Sequence, residues 1–276
     1  MRIAVVGASG FVGSRVVEAL ASSGVDLVVD RRIELDRLRR VDAVVDASGR
    51  RDLDLARFCL ESGIRLVDCS ADAERTGELL ALDATGPGAL IAGAGLFPGV
   101  SNLIAARDPS TRAILVELDP FSGAGAKTID SLTGALADPN LRCKRVGGIR
   151  ALAIDSADQR ISGIELLITT RQRWMRWSLP LAAWIGRRPL FGRVLARIAN
   201  LGMKLLRGVV LRRRPASVTL YAVGASGPTV AFETRDGFAA TARAIAWAAV
   251  ETANRADLRG LVPFTELSRT APAARS

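Results

Sequence analysis

Three glycines spaced three apart, Gly7, Gly10 and Gly13, follow the apolar run Ile3-Ala4-Val5-Val6, and apolar Val12, Val16 and Leu20 then recur every four residues up to Gly24. A short apolar run ending in glycine reads as a buried parallel strand at its carboxyl end. The four-residue recurrence closed by Gly24 reads as a helix with its stop signal. The linking segment Gly7-Ala8-Ser9-Gly10-Phe11-Val12-Gly13 is a GxxGxxG form of the dinucleotide fingerprint, placed between strand and helix as its mechanism requires. Gly7 permits the tight turn, Gly10 lets backbone approach a pyrophosphate, and Gly13 allows the helix to pack closely, while the helix N-terminus offers amides to the anion. The loop, with Ser9, Phe11 and Val12, is therefore the expected cofactor cradle. A glycine-rich turn without ligand is the competing explanation, disfavoured because strand, helix and all three glycines occur together. An acid at the end of strand two normally holds the adenosine ribose, and Asp30 stands there, 20 residues after Gly10. Arg31 and Arg32 follow it. A carboxylate repels a 2′-phosphate that a guanidinium accepts, so NAD and NADP both remain open.

The pattern continues with strand-like runs at Asp26–Val29, Ala43–Asp46, Arg65–Asp68 and Ala89–Ala92, and helical stretches near Leu53–Glu61 and Glu74–Ala84. Alternating strands and helices predict an α/β fold, a doubly wound parallel sheet of the Rossmann type. Beyond Arg112 the period becomes two at Ile114, Val116 and Leu118, again at Ile164, Leu166 and Ile168, and again at Val218, Leu220 and Ala222. This predicts a second α+β lobe on an open, mostly antiparallel sheet. Between the last two runs, Trp174–Leu211 is interrupted by Pro180, Pro189 and several glycines and reads as several short helices. Phe238, Ala242, Ile245 and Ala249 define one apolar helical face that fits either lobe. A chain of 276 residues exceeds one ordinary core. The expected division is a dinucleotide domain at 1–112 and a substrate and dimerisation domain at 113–236, with 237–270 returning to the first.

The net charge of +10 is a local property: residues 166 to 232 hold twelve Arg or Lys and no Asp or Glu, leaving 26 basic against 28 acidic residues elsewhere. Cys59, Cys69 and Cys143 form no CxxC pair, and the chain has no histidine, so no zinc site or other metal site is expected. The opening MRIAVVGASG enters its glycines without the longer apolar core of a signal peptide, which predicts a cytoplasmic protein. The missing residues also narrow the chemistry. The short-chain dehydrogenases need a Tyr and Lys four apart, but the single tyrosine, Tyr221, has Ala225 at that spacing. Cysteine–histidine acyl chemistry and imidazole-assisted hydroxy-acid oxidation both need a histidine.

The stretches VDAVVDASG, ARFCLESGIRLVDCSAD and LIAGAGLFPGVSN resemble the saccharopine dehydrogenase and saccharopine reductase-like oxidoreductases over residues 1 to about 135. The most specific parts are Asp68 closing a strand after ESGIRLV, and Gly95-Leu96-Phe97-Pro98-Gly99 followed by Ser101 and Asn102. The resemblance implies that the helix near Gly237–Asn254 packs back on the nucleotide domain. This chain departs from the family pattern in two places. Lys127-Thr128 stands where family members tend to have Gly-Thr, and the interval from Asp30 to Val41 lacks room for a customary helix and strand.

The other candidate residues each carry two explanations. Ser48 and Gly49 follow a strand at the crest of the sheet, where backbone commonly touches the nucleotide, or form a bare turn. Asp68, with Cys69 and Ser70, faces the crevice as a catalytic group, or Asp68 or Ser70 caps the next helix. Phe97 and Pro98 lead into a helix whose Gly99 and Val100 amides point at the nicotinamide end, or Pro98 only starts that helix. Lys127 donates a proton or holds a substrate carboxylate, with Thr128 beside it and Asp119 as a partner, or is a solvated lysine. Cys69 reads as a small buried side chain. The favoured function is NAD(P)-dependent hydride transfer to or from a small carbonyl, imine or secondary-amine substrate held between the lobes of a homodimer. The alternative is a nucleotide-binding sensor or membrane-associated protein without turnover. Residues 171 to 214 mix arginines with Trp, Leu, Ile and Val, which fits peripheral contact with an anionic membrane or a long acidic or lipidic substrate. Amphipathic helices covering the second sheet, with arginines solvated or lining a dimer contact, are the competing and slightly favoured explanation. No nucleic-acid reading element accompanies the charge. Within 171 to 214 the longest uncharged stretch, Trp177–Gly186, is far shorter than the ~20 residues a bilayer span takes.

Overall fold

The computed structural model describes residues 1–30, 35–119, 130, 133–209 and 215–269. In chain order its strands are β1 (Arg2–Val6), β2 (Asp26–Asp30), β3 (Ala43–Asp46), β4 (Arg65–Asp68), β5 (Ala89–Ile91), β6 (Ala113–Leu118), β7 (Arg142–Val146), β8 (Ile149–Ile154), β9 (Glu165–Thr170), β10 (Val218–Gly224), β11 (Gly227–Thr234) and β12 (Gly260–Leu261). Its helices are α1 (Phe11–Ala21), α2 (Leu35–Leu38), α3 (Asp54–Ser62), α4 (Ala73–Leu80), α5 (Ser101–Arg107), α6 (Ala157–Ser162), α7 (Arg173–Arg176), α8 (Leu179–Gly186), α9 (Pro189–Val209), α10 (Gly237–Asn254) and α11 (Phe264–Arg269). The chain forms two units, one of Met1–Leu103, Arg160–Ser162 and the chain from Phe238 onward, the other of Ile104–Gln159 and Gly163–Gly237.

The first unit holds a six-stranded sheet in the order β12-β5-β4-β3-β1-β2, every pair parallel. Successive residues of its strands serve opposite faces. Ile3, Val5, Val45, Val67 and Ile91 pack with α1, α10 and α11, through Val16 and Leu20, Ile245 and Ala249, and Phe264. Ala4, Val44, Leu66 and Leu90 pack with α2, α3 and α4 through Leu38, Leu60 and Leu79. Helices on both faces explain why the strands read as unbroken apolar runs. The chain moves from β1 outward to β2 and then returns past β1 to β3. The sheet therefore reverses direction between β1 and β3, and their carboxyl ends form a topological switch point. Helix α2 alone occupies the shortened interval between Asp30 and Val41 that falls within the described residues.

The second unit is a mixed sheet in the order β11-β10-β6-β9-β8-β7. As expected it is mostly antiparallel: among the described residues four of its pairings are antiparallel, and the central pair, β6 with β9, is parallel. The chain leaves β6, builds the hairpin β7–β8 at the far edge, and sets β9 between β8 and β6. Two elements gave no alternation signal. Strand β7 is an edge strand with Arg142, Lys144 and Arg145, and Gly147 and Gly148 at φ 51° and 79° make its two-residue hairpin. Strand β11 opens with Gly227-Pro228 at the other edge.

The region read as several short helices also differs, since α9 runs unbroken for 21 residues. Pro189 opens it, where a missing amide costs nothing. At Gly192 a β-carbon would lie 2.6 Å from the Gly186 oxygen, so this glycine lets α9 turn tightly against α8.

Replacing the fully buried Ile245 of α10 by Ala is expected to cost about 2–5 kcal/mol. Urea unfolding should show a lower midpoint at unchanged slope; an unshifted midpoint would contradict the placement of α10 in this core.

Candidate functional site

The crest of the parallel sheet begins at the glycine loop. Gly7 has φ 79°, and a β-carbon there would lie 2.6 Å from both the amide nitrogen and Cα of Ser48 in the loop after β3. At Gly13 a β-carbon would lie 2.1 Å from the Gly7 oxygen. The fold itself therefore requires both glycines. Gly10 differs: its backbone is at φ −73°, ψ 168°, open to any residue, and the nearest atom to an added β-carbon is the Gly7 oxygen at 3.0 Å. That contact is tight but less severe than those at Gly7 and Gly13. Gly10 is the N-cap of α1 and gives no side-chain cap, so the first turn presents its positive end to the crest without a capping oxygen. Phe11 packs edge-on against Phe238 at 4.8 Å, and the Arg15 guanidinium lies 4.0 Å over its ring while donating to the Phe11 carbonyl at 2.8 Å. Arg15, which the sequence pattern did not single out, sets a cation one turn into the helix. Asp30 ends β2 in register with Val6, immediately before the loop.

Beside the loop, β3 and β4 end in the same tripeptide form, Asp46-Ala47-Ser48 and Asp68-Cys69-Ser70, with the two aspartates opposite one another. The Ser48 amide and hydroxyl donate to Asp46 Oδ1 at 3.0 and 2.6 Å, and the Ser70 amide donates to Asp68 Oδ1 at 2.9 Å. A single guanidinium joins the two ends. Arg75 Nη2 donates to Asp46 Oδ2 and Asp68 Oδ2, both at 2.9 Å, its Nε donates to Asp68 Oδ2, and its Nη1 donates to the carbonyls of Arg50 and Asp52. All three charged side chains are buried. Burial pushes the Asp68 carboxyl up; Arg75 opposes that shift, and the Asp46 carboxylate adds a smaller upward push.

The Asp68 carboxylate is 1% exposed and is bonded to Arg75 and to the Ser70 amide. Neither Asp68 nor Ser70 caps α4; Asp72 does, accepting from the Arg75 amide at 3.0 Å. The Cys69 thiol is pushed well up by desolvation and then by Asp68 and Asp46, and the buried Cys59 thiol is pushed up to about 12, which keeps both as neutral thiols.

Gly93–Val100 forms the next crest loop. Here too the expectation changes, because Phe97, Pro98 and Gly99 have non-helical backbone and the regular helix begins only at Ser101. The Gly99 amide donates to Asn102 Oδ1 at 3.0 Å and the Val100 amide to the Gly95 carbonyl at 3.0 Å, so these amides are already engaged. Asn102 in turn donates to Ser162 at 2.7 Å. Phe97 is half-buried and Pro98 is buried. Of the remaining candidates, Lys127, Thr128 and Arg31 lie outside the described residues. Asp119, expected near Lys127, accepts from Gln172 Nε2 at 2.9 Å in the second unit.

The structure thus brings the glycine loop, Asp30, Ser48, Gly49 and Asp68 to one sheet edge. Arg75 escaped sequence reasoning because it lies in α4, away from every motif. The repeated Asp-x-Ser at two strand ends was the available signal, since paired buried carboxylates call for a cation.

No family model and no curated protein matches the chain. Its fold matches solved dehydrogenases over nearly their whole length. A saccharopine dehydrogenase (L-Glu forming) from Saccharomyces cerevisiae aligns with TM-score 0.55 and 11% identity, covering 97% of this chain and 95% of that one. A DAP dehydrogenase from C. glutamicum, in complex with DAP, aligns with TM-score 0.51 and 12% identity over 96% and 93%. An amine dehydrogenase from Mycobacterium smegmatis aligns with TM-score 0.50 and 13% identity over 100% and 97%. The chain therefore shares the two-sheet fold of these enzymes, consistent with the family resemblance in its sequence.

Substituting Arg75 by Met leaves two buried carboxylates without their cation and is expected to cost about 3–5 kcal/mol of stability. A carboxyl raised on folding, as Asp68 is, contributes stability below its unfolded value and loses it as pH climbs through the folded one. The deficit of the variant should therefore be largest at neutral pH and shrink toward acid. Denaturation curves across pH with a constant or growing deficit in acid would refute this account.

Proposed function

We propose that the chain is an NAD(P)-dependent oxidoreductase acting on a small carbonyl, imine or secondary-amine substrate. The observation that carries this reading is the glycine loop at the sheet crest, where the N-terminus of α1 has no side-chain cap and an added β-carbon at Gly10 would meet the Gly7 oxygen at 3.0 Å, a looser fit than at Gly7 or Gly13. An uncapped α1 N-terminus at the β1/β3 switch point suits a pyrophosphate. In this reading the backbone of residues 7–13 holds the pyrophosphate, Phe11 and Arg15 border it, Asp30 takes the ribose hydroxyls, and Ser48 and Gly49 line the crest. The bound dinucleotide would supply or accept the hydride. Phe97 and Pro98 bound the nicotinamide end by shape, since the neighbouring amides are engaged. Arg75, through Asp46 and Asp68, fixes the loops without touching the reactants. Lys127 and Thr128 are assigned the proton and the substrate's polar group. Support for a nitrogen-bearing substrate comes from the solved relatives, which are named as saccharopine, DAP and amine dehydrogenases.

Gly10→Val, checked for native circular dichroism, is expected to weaken NADH and NADPH binding at least about tenfold in fluorescence titrations, the affinity equivalent of ~1.4 kcal/mol. Unchanged titration curves would refute the cradle. Asp30→Ser should move preference toward NADPH if the carboxylate holds the ribose. Turnover is tested by hydride exchange from labelled cofactor in the presence of paired amino and keto acids. Tight binding without exchange would favour a sensor.

A further inference from the structure

Helix α9 is anchored along one side and bare along the other. Asn200 donates to Asp130 at 2.7 Å and to Thr133 at 2.9 Å, and Lys204 pairs with Asp130 at 2.7 Å. These bonds fix the rotation of the helix about its axis. They turn Leu190, Phe191, Val194, Ile198, Leu201 and Leu205 outward, every one more than half exposed and Leu190 75% exposed. At 3.6 residues per turn these positions fall within an arc roughly 100° wide. Arg193, Arg197 and Lys204 form a basic strip along one flank of that arc, and Arg193 and Arg197 have no ion-pair partner among the described residues. The two preceding helices extend the surface, exposing Trp174, Trp177, Leu181 and Trp184, with Trp177 72% exposed. Arg150 and Arg188 sit over the Trp177 and Trp184 rings at 4.0 and 5.3 Å.

So much apolar surface on a folded protein marks an interaction site. Charge identifies the occupant. Residues 166 to 232 contain no acidic side chain, so a two-fold contact with a second copy through this face would set its basic strip against its own image. Nucleic acid would satisfy the arginines but would offer the leucine and isoleucine stripe nothing. An anionic bilayer satisfies both, because its headgroups attract arginine while the acyl boundary accepts aliphatic and indole side chains. Among the described residues no helix is long and apolar enough to cross a membrane, so the helix lies along the surface.

We propose that α7, α8 and α9 dock the protein onto anionic lipid bilayers. Helix α9 lies in the interface plane, with Val194, Ile198, Leu201 and Leu205 at the acyl boundary and Arg193 and Arg197 at the lipid phosphates. This inference does not depend on the oxidoreductase reading, and its test uses no nucleotide. The full-length protein is co-sedimented with phosphatidylcholine vesicles with and without phosphatidylserine, at low and high salt. Three of the four tryptophans lie on this surface, so their emission should shift to the blue on binding and be quenched by brominated acyl chains. Binding should require phosphatidylserine and fall with salt. Because each basic residue near such a surface is worth roughly fivefold in affinity, R193Q/R197Q should bind roughly twenty-five-fold more weakly. V194E/I198E, at exposed positions and checked for native circular dichroism, should abolish binding. Three outcomes would overturn the proposal: no association of the parent protein at low salt, association that survives V194E/I198E, or a concentration-dependent dimer that V194E/I198E dissociates.

Discussion

Two carboxylates stand side by side at the ends of adjacent parallel strands, and Arg75 is what makes that arrangement tolerable. Neighbouring strands lie about 4.8 Å apart, so Asp46 and Asp68 in register would repel strongly away from water. One buried guanidinium meets both and uses its other amino group to hold the carbonyls of Arg50 and Asp52. Each carboxylate in turn fixes the serine two residues on, which sets the path of its loop. The position of Ser48 then explains Gly7, because the glycine loop can pass the β3 loop only where no β-carbon intervenes. The loops at the sheet crest are thus built outward from a buried charge cluster.

The division of labour between the two sheets follows from how each is covered. The parallel sheet has helices on both faces, and only its crest remains for chemistry. The mixed sheet has charged edge strands and carries a helical layer whose outer face is apolar and basic together. Ordinary packing would have turned the stripe of α9 inward. Asn200 and Lys204, both bonded to Asp130, tie the flank of the helix beside that stripe to the rest of the unit. The outward stripe is therefore a consequence of specific polar contacts.

Much of the first sheet was legible because its signals are local. The run Ile3–Val6, the three glycines and the recurrence through Leu20 each depend on residues close in sequence, and the apolar face of α10 showed itself by period alone. Less of the second sheet was legible. The basic strand β7 hides its alternation at an edge, and the parallel pairing of β6 with β9 depends on where a distant hairpin is laid. Asp68 shows the same limit at a single residue. Its place at a strand end suggested chemistry, whereas its actual partner sits seven residues on, in a helix with no motif.

By itself the sequence determined the βα unit with its glycine loop, the α/β character of the first sheet and the basic bias of the second lobe, since composition and short periods specify these wherever the chain folds. Tertiary structure alone decided which side of α9 faces outward, that Asp68 pairs with Arg75, and that Gly7 passes the β3 loop where no β-carbon fits. Each of these depends on atoms far apart in sequence, and only packing brings them within the few ångströms over which sterics and hydrogen bonds act.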